Sequence, residues 1–555
     1  MKKDILISTL FLLVVVVVFR DLSQTFYQQD EWHTLGILKT EGISYLFSES
    51  TLKGILLLEN RPLARLANYL LFGQFPLNIF PLFLFSILLH ATNAFLIYKI
   101  TSNFIKSHLW VILGTLFFIV NATSKQAVLW FGTTTGTLPA ATLIFLSIFL
   151  YLKYLGRKKA PYLLGSIFAL IASLGFKESG LFLFLFFPVT DFFYSLVKNK
   201  KIIISRFSLS ILVVGLLLFI SKFLNVFFAA TTSSRYLNTG TSGSLLKLVW
   251  AAITYPLESL SQIIFPTEVI FPFARKITEA VFPYFEPSGY AALISEQIVV
   301  EFTSVLITII FVLPVIIFLF TRKDKWPIIF ILSFYTLTFV PFIILVKPNG
   351  YLESRYYYIP AAAVGILLGI FLENFTKIIS KILKKKIIIN IAYVLLIGAS
   401  FFYLYKNISF IQDQLNFLKE RSTLQRHILS EITLFHPYLS KKQIFYIESD
   451  HSFIVPNNPL PFQNGIGYTL LVMYAYKNNT DRLNPFFLDN YFWKLGNQGY
   501  FEKDGQGFGF FTDLSELKKQ ITNKNFKKDN VVAFRYDSVK NKIYDITIEI
   551  QKNLE

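Results

Sequence analysis

Apolar runs recur along the first four hundred residues with mostly short polar breaks between them, and they stop near residue 406. A helix needs about 20 apolar residues to cross the hydrocarbon core of a bilayer. About eleven segments approach that pattern, near 5–20, 77–98, 109–121, 137–155, 161–176, 180–197, 207–225, 298–320, 327–346, 357–373 and 387–405. Several are short, and the pair over 161–197 also fits a re-entrant hairpin. Two of the breaks are long, 21–76 and 226–297, and loops of that length usually act or hold helices of their own. In the first, Arg61-Pro62-Leu63 opens a stretch with Leu63, Leu66, Tyr69 and Leu70 on one helical face, the pattern of a helix lying on a membrane surface. The second is punctuated by Pro256, Phe265, Pro266, Phe271, Pro272, Phe282 and Pro283, and is expected to pack over the same face.

Beyond residue 406 polar residues dominate. Phe445–Ile447, Val531–Tyr536 and Tyr544–Ile550 alternate or are rich in β-formers, which predicts strands. Asp513-Leu514-Ser515-Glu516 reads as a capping box opening a helix over Leu517–Ile521. The aromatic cluster Phe486, Phe487, Tyr491, Phe492 and Trp493 reads as core rather than as a stacking platform. The expected fold class is an all-α polytopic membrane bundle of about eleven transmembrane helices (1–406), followed by a small α/β domain (407–555).

Composition supports a membrane protein: 54% of the 555 residues are hydrophobic and 17% aromatic, with a mean hydropathy of +0.53. The net charge of +19 would point to nucleic acid in a soluble protein. Here the cations fall in short loops, so no nucleic-acid partner is expected. Short segments on the side of the N-terminus carry nineteen Lys and Arg; those on the other side carry four, Lys125, Lys177, Lys347 and Arg355. That asymmetry predicts a multi-pass protein of the cell membrane, with its N-terminus cytoplasmic and the 407–555 domain extracytoplasmic. Residues 1–20 read as an uncleaved first helix, since no small-x-small cleavage pattern follows. The absence of cysteine excludes thiolate chemistry and Cys-ligated metals.

Candidate chemistry gathers at outer loops. Asp30 and Glu31 form an acid pair about ten residues after the first apolar run. Carboxylates near lipid are costly unless used, and such a group suits removal of a proton from an acceptor hydroxyl. Lys177-Glu178 interrupts two apolar runs, fitting either a phosphate-binding lysine with an orienting or acceptor-binding acid, or a mutual ion pair. Arg355, beside Tyr356, sits at the outer end of a span, where a guanidinium can clamp phosphate or simply snorkel within an aromatic belt. Arg61 and Arg65 fit phosphate or anionic headgroups. His90 and Asn93, one turn apart inside a span, predict an interhelical hydrogen-bonded tie rather than a metal site.

Taken in order, these pieces resemble the GT-C superfamily of polyprenyl- or dolichyl-phosphate-sugar-dependent glycosyltransferases, and within it the protein O-mannosyltransferase and TMTC-like branch. The matching stretches are Asp30-Glu31, RPLARLANYLLFG (61–73), LLHATNAFLIY (88–98), AVLW (127–130), FKESGLFLFLFFPVTD (176–191) and SRYYYIPAAAVG (354–365). The resemblance implies a GT-C-like bundle with its active site on the outer face, Asp30 as base, and Lys177, Glu178 and Arg355 in the site. The chain departs from the family at 121–126, where Asn121 stands for a His and Gln126 for an acid, and it lacks a tetratricopeptide array. The acceptor is therefore open among glycan, lipid and protein.

The expected function is inverting transfer of a sugar from a polyprenyl-phosphate donor to a hydroxyl. Asp30 and Glu31 are the catalytic carboxylates, Arg355, Lys177 and Arg61 hold donor phosphate, and Glu178 and Tyr356 bind acceptor or orient. Membrane lipids are further partners. No cofactor is required, and a divalent cation enters only if Asp30, Glu31 and Glu178 converge. The alternatives are a surface-polysaccharide polymerase or ligase using a lipid pyrophosphate, and a transporter or flippase. A transport site would lie mid-span, and these charged groups do not.

Overall fold

The structure, a computed structural model, describes residues 2–47, 61–200, 205–232, 245–281, 290–343, 350–383, 385–450, 460–462, 466–478, 480–487, 498–524 and 526–554. Phe282, Pro283, Lys347, Tyr491, Phe492 and Trp493 lie outside the described residues. The chain forms two compact units. One comprises Met1–Arg20, Ser50–Ala64 and Phe85–Asp413; the other comprises Asp21–Glu49, Arg65–Leu84 and Gln414–Glu555.

The helices run in chain order as α1 (Lys2–Phe19), α2 (Asp30–Glu41), α3 (Phe80–Thr101) and α4 (His108–Ile119). Then come α5 (Phe131–Arg157), α6 (Ala160–Phe176), α7 (Leu183–Tyr194) and α8 (Arg206–Thr232). They continue with α9 (Leu245–Ile264), α10 (Thr267–Val281), α11 (Tyr290–Ile307) and α12 (Trp326–Leu337). The last are α13 (Tyr358–Ile382), α14 (Lys386–Phe435), α15 (Ile466–Lys477) and α16 (Leu514–Lys524). Shorter turns are given by residue range.

Within the described residues, each of the eleven apolar segments lies mainly on a helix; 344–346, at the end of the 327–346 segment, lie outside them. Among the described residues seven stretches are long and apolar enough to cross a membrane: Lys2–Gln24, Phe80–Thr101, Phe131–Arg157, Glu178–Lys198, Gln297–Leu319, Ser354–Ile382 and Lys386–Phe435. His108–Ser124, Ala160–Phe176, Arg206–Leu218 and Trp326–Phe342 are shorter apolar helices. The protein is thus mostly helical and multi-pass in character. Both long loops hold helices of their own.

In the first unit small residues let helix backbones approach closely. A Cβ at Gly114 of α4 would stand 2.5 Å from the Gly365 carbonyl oxygen of α13, and one at Gly369 would stand 2.9 Å from the Trp110 carbonyl. His90 and Asn93 are the tie their spacing predicts. His90 Nε2 donates to the Ile119 carbonyl at 3.0 Å, which leaves Nδ1 to accept from the Tyr358 hydroxyl at 2.7 Å. Asn93 donates to that hydroxyl at 3.0 Å and to the Leu138 carbonyl at 3.3 Å.

The second unit holds a mixed five-stranded sheet, order β2-β3-β1-β4-β5. Its strands are β1 (Lys442–Ser449), β2 (Gly499–Lys503), β3 (Gln506–Phe511), β4 (Val531–Asp537) and β5 (Lys542–Asp545). Central β1 is parallel to β3 and β4, and the edges are antiparallel. One face buries Ile444, Tyr446, Phe511, Val531 and Ala533 against Leu517 of α16 and Ile550. On the other, Phe445 meets Tyr474 of α15, Phe508 and Phe534.

Asp513 caps α16 as its sequence predicts: one carboxylate oxygen accepts from the backbone N–H of Ser515 at 2.7 Å and of Glu516 at 3.4 Å. The strand expected over Tyr544–Ile550 ends at Asp545 instead. The Asp545 carboxylate accepts from the Thr547 N–H at 2.9 Å and turns the chain into the helix Thr547–Asn553. The 387–405 segment also runs on, as a single 50-residue helix. At 1.5 Å per residue that helix is about 75 Å long, more than twice a bilayer core. Ile411, Leu415, Leu418, Ile428, Leu429 and Ile432 are buried along its later turns, so an amphipathic stripe sustains the helix after the apolar run ends.

Candidate functional site

Asp30 and Glu31 open α2, in the second unit, and they differ sharply. The Glu31 side chain is fully buried, and its carboxylate accepts from the Gln29 N–H at 3.0 Å and the Gln28 N–H at 3.3 Å. An acid at a helix N-terminus is favoured by the exposed amides and the helix dipole, so Glu31 fixes the entry to α2. Burial, and after it the Glu31 charge, push the Tyr27 phenol above its ordinary range. Asp30 is half-buried and meets the Gln29 amide at 3.4 Å.

The rest of α2 explains how these two are held. Trp32 packs edge-on against Phe26 and Tyr27. Gly36 lies so close to Tyr468 of α15 that a Cβ would stand 2.2 Å from its hydroxyl. The Tyr476 hydroxyl donates to the Leu35 carbonyl at 2.9 Å, and Lys39 meets Asp481 at 3.2 Å. The acid-bearing helix is thus seated on the C-terminal part of its own unit. Phe486 and Phe487 beside it are fully buried, as core residues. Arg65, in this unit, donates to the Tyr45 carbonyl at 2.5 Å and stacks over its ring at 4.6 Å.

The first unit brings Arg61, Lys177, Glu178, Arg355 and Tyr356 together. Helix α6 ends at Phe176, Lys177 is extended, and a 3₁₀ turn over Glu178–Phe182 leads into α7. Gly136 of α5 permits this break, because a Cβ there would press on the Phe176 carbonyl at 3.3 Å. Lys177 Nζ donates to the Thr137 hydroxyl at 2.9 Å and lies 5.1 Å from the Tyr356 ring centre. Glu178 pairs with Arg61 at 2.7 Å. Arg355 pairs with Glu353 and spreads over the rings of Trp130 and Tyr356 at 5.0 and 5.2 Å. Burial pulls the Lys177 ammonium down to about 7; Glu178 resists this, while Arg61 and Arg355 add to it.

The 121–126 loop works as a brace. Gln126 accepts the Arg355 backbone N–H at 3.3 Å, and its own N–H donates to Ser354 at 3.1 Å. Asn121 donates to the Ile263 carbonyl at 2.8 Å. Lys125 pairs with Glu268 at 2.5 Å and, against the effect of burial, holds that carboxyl below its usual range. The sequence reading missed Trp130, Thr137 and Glu353 as members of this cluster. The threonine run TTTGT inside an apolar helix was a legible signal for Thr137. Leu63, expected beside Leu66 and Leu70 on one exposed face, instead turns to Gly175, where a Cβ would stand 2.9 Å from it; Leu66 and Leu70 remain exposed. Among the described residues no three His, Asp or Glu side chains form a group able to hold a metal ion.

No family model matches the chain, and no curated protein matches it in sequence.

Two guanidinium groups and a buried amine, set against two carboxylates, form a cluster whose net charge depends on pH. Below about 7 Lys177 is protonated and the five groups sum to one positive charge; above it they are neutral. Affinity for a phosphate-bearing ligand should therefore fall as pH rises through about 7, by up to about tenfold per pH unit if the Lys177 charge is required for binding. Binding of a phosphate-bearing lipid to the purified protein, measured from pH 6 to 9, checks this. Lys177→Arg should flatten the profile, and identical profiles in both proteins would remove Lys177 from the site.

Proposed function

We propose that the protein is a membrane glycosyltransferase of the GT-C type, moving a sugar from a polyprenyl-phosphate donor to a hydroxyl acceptor on the outer face of the membrane. The observation that carries this reading is the convergence of Arg61, Lys177 and Arg355, with Tyr356 and Trp130 beside them, at a helix break between apolar helices. Cations there are costly unless they meet charge; Glu178 and Glu353 balance two of the three, and a departing lipid phosphate would balance the third.

In this scheme Asp30 takes the acceptor proton. The acceptor oxygen then attacks the anomeric carbon, the bond from that carbon to the phosphate oxygen breaks, and the sugar inverts. Polyprenyl phosphate leaves with its negative charge met by Arg355, Lys177 and Arg61. Fixed cations in a poorly hydrated site stabilise developing charge strongly, because they need no reorganisation during the reaction. Glu31 positions Asp30, while Glu178 orients Arg61.

The test is transfer of radiolabelled sugar from polyprenyl-phosphate donors by the purified full-length protein in lipid. Release of polyprenyl phosphate, with one sugar moved per phosphate freed, is the expected result. Turnover confined to polyprenyl-pyrophosphate donors would replace the scheme by a polysaccharide polymerase or ligase. Absence of turnover with both donors would overturn the glycosyltransferase reading.

A further inference from the structure

Helix α9 carries an exposed apolar stripe over a buried face rich in polar side chains. Its exposed side chains include Leu246, Val249, Trp250, Ile253 and Leu257, spaced as one helical stripe, and the least exposed of them is Leu257 at 40%. Its buried side chains include Thr254, Glu258, Ser259, Ser261 and Gln262. A helix in water places its apolar stripe toward the protein core and its polar face outward; α9 turns an apolar stripe outward and buries its polar side chains together with Ala251, Tyr255, Leu260 and Ile263.

The polar face is tied into the first unit. Ser261 donates to the Ser304 carbonyl of α11 at 2.7 Å, and Thr308 donates to the Leu257 carbonyl at 2.7 Å. These two bonds align α9 antiparallel to the Gln297–Leu319 stretch. Gln262 donates to Ser304 at 3.1 Å and to the Gly350 carbonyl at 2.8 Å, and accepts from the Tyr357 hydroxyl at 2.5 Å. Tyr335 donates to the Pro256 carbonyl at 2.6 Å.

Beside α9 the Gln297–Leu319 stretch is itself apolar enough to cross a membrane, and it exposes Ile298, Phe302, Ile309 and Ile310. The α9 stripe thus continues the surface of a membrane-crossing helix. At 20 residues α9 is about 30 Å long, the thickness of the hydrocarbon core. It is not among the seven apolar stretches because its inner polar face lowers its average hydropathy.

We propose that α9 is embedded in the hydrocarbon layer, with the stripe from Leu246 to Leu257 against lipid acyl chains, rather than lying in an aqueous outer loop. Its polar side then braces the Gly350–Tyr357 segment, which carries Arg355, from the lipid side. This inference does not depend on the glycosyltransferase reading.

The absence of native cysteine permits a clean test. Single cysteines at Ile253 and Leu257 in the full-length protein, reconstituted in phosphatidylcholine–phosphatidylglycerol vesicles, would carry nitroxide labels. Ile310→Cys serves as the lipid-facing reference and Tyr438→Cys, at an exposed tail position, as the aqueous one. Collisions with molecular oxygen and with a water-soluble nickel chelate are then compared. Labels at 253 and 257 should follow the Ile310→Cys label, open to oxygen and shielded from nickel. Nickel accessibility like that of the Tyr438→Cys label would place α9 in water, and shielding from both reagents would mean protein covers the stripe; either result overturns the proposal.

Discussion

Asp30→Asn should lower kcat for sugar transfer by about 10²-fold or more, within the range for loss of a general base, with donor KM little changed. The first turn of α2 has other anchors, since Glu31 accepts from the Gln28 and Gln29 amides and Trp32 packs among aromatic rings. Asparagine keeps the shape and one acceptor oxygen while removing the charge and the basicity. Radiolabelled transfer at saturating donor measures the loss. An unchanged kcat would remove Asp30 as base while leaving the phosphate cluster untouched.

Arg355→Met should lower kcat/KM by roughly 10- to 150-fold, the equivalent of about 1.5–3 kcal/mol for a hydrogen bond to a charged group. Methionine retains the contacts with Trp130 and Tyr356, and the Glu353 carboxylate is 46% exposed, so losing its partner leaves no buried charge. The deficit therefore reports phosphate recognition rather than folding. Arg355→Lys should recover only part of it, because an ammonium lacks the guanidinium fork. Wild-type kcat/KM in the methionine variant would show that Arg355 serves the aromatic cluster alone.

The sequence made the apolar helices legible because each one buries or exposes apolar residues all round, and length then suffices. It hid α9, because a one-sided helix with Glu258, Ser259, Ser261 and Gln262 on its inner face looks like loop composition. In the tail, the Asp513 cap is readable from its spacing; the β2–β3 hairpin is not among the predicted strands, although Lys503-Asp504-Gly505-Gln506 carries its turn. Asp504 and Gly505 both take left-handed conformations, at φ 52° and 71°, as a two-residue hairpin loop requires. Tyr544–Ile550 alternates like a strand, yet a capping carboxylate at Asp545 prevails over that pattern. Lys177, Glu178 and Arg355 were legible as charges out of place among apolar runs. Their association through Thr137, Trp130 and Gln126 depends on tertiary contacts that local spacing does not encode.

The seat of α2 also sets a schedule. Leu35 is bonded by Tyr476, 441 residues further along the chain. At bacterial-to-eukaryotic synthesis rates of about 5–20 residues per second, that separation is roughly 20–90 s. Throughout that interval the helix carrying Asp30 has been made but its docking surface has not, so the packed face of Leu35 and Gly36 waits uncovered beside the growing chain. The local bonds of Glu31 to the Gln28 and Gln29 amides can form early, but the seating of the helix that carries Asp30 waits until residues 468–481 have been made.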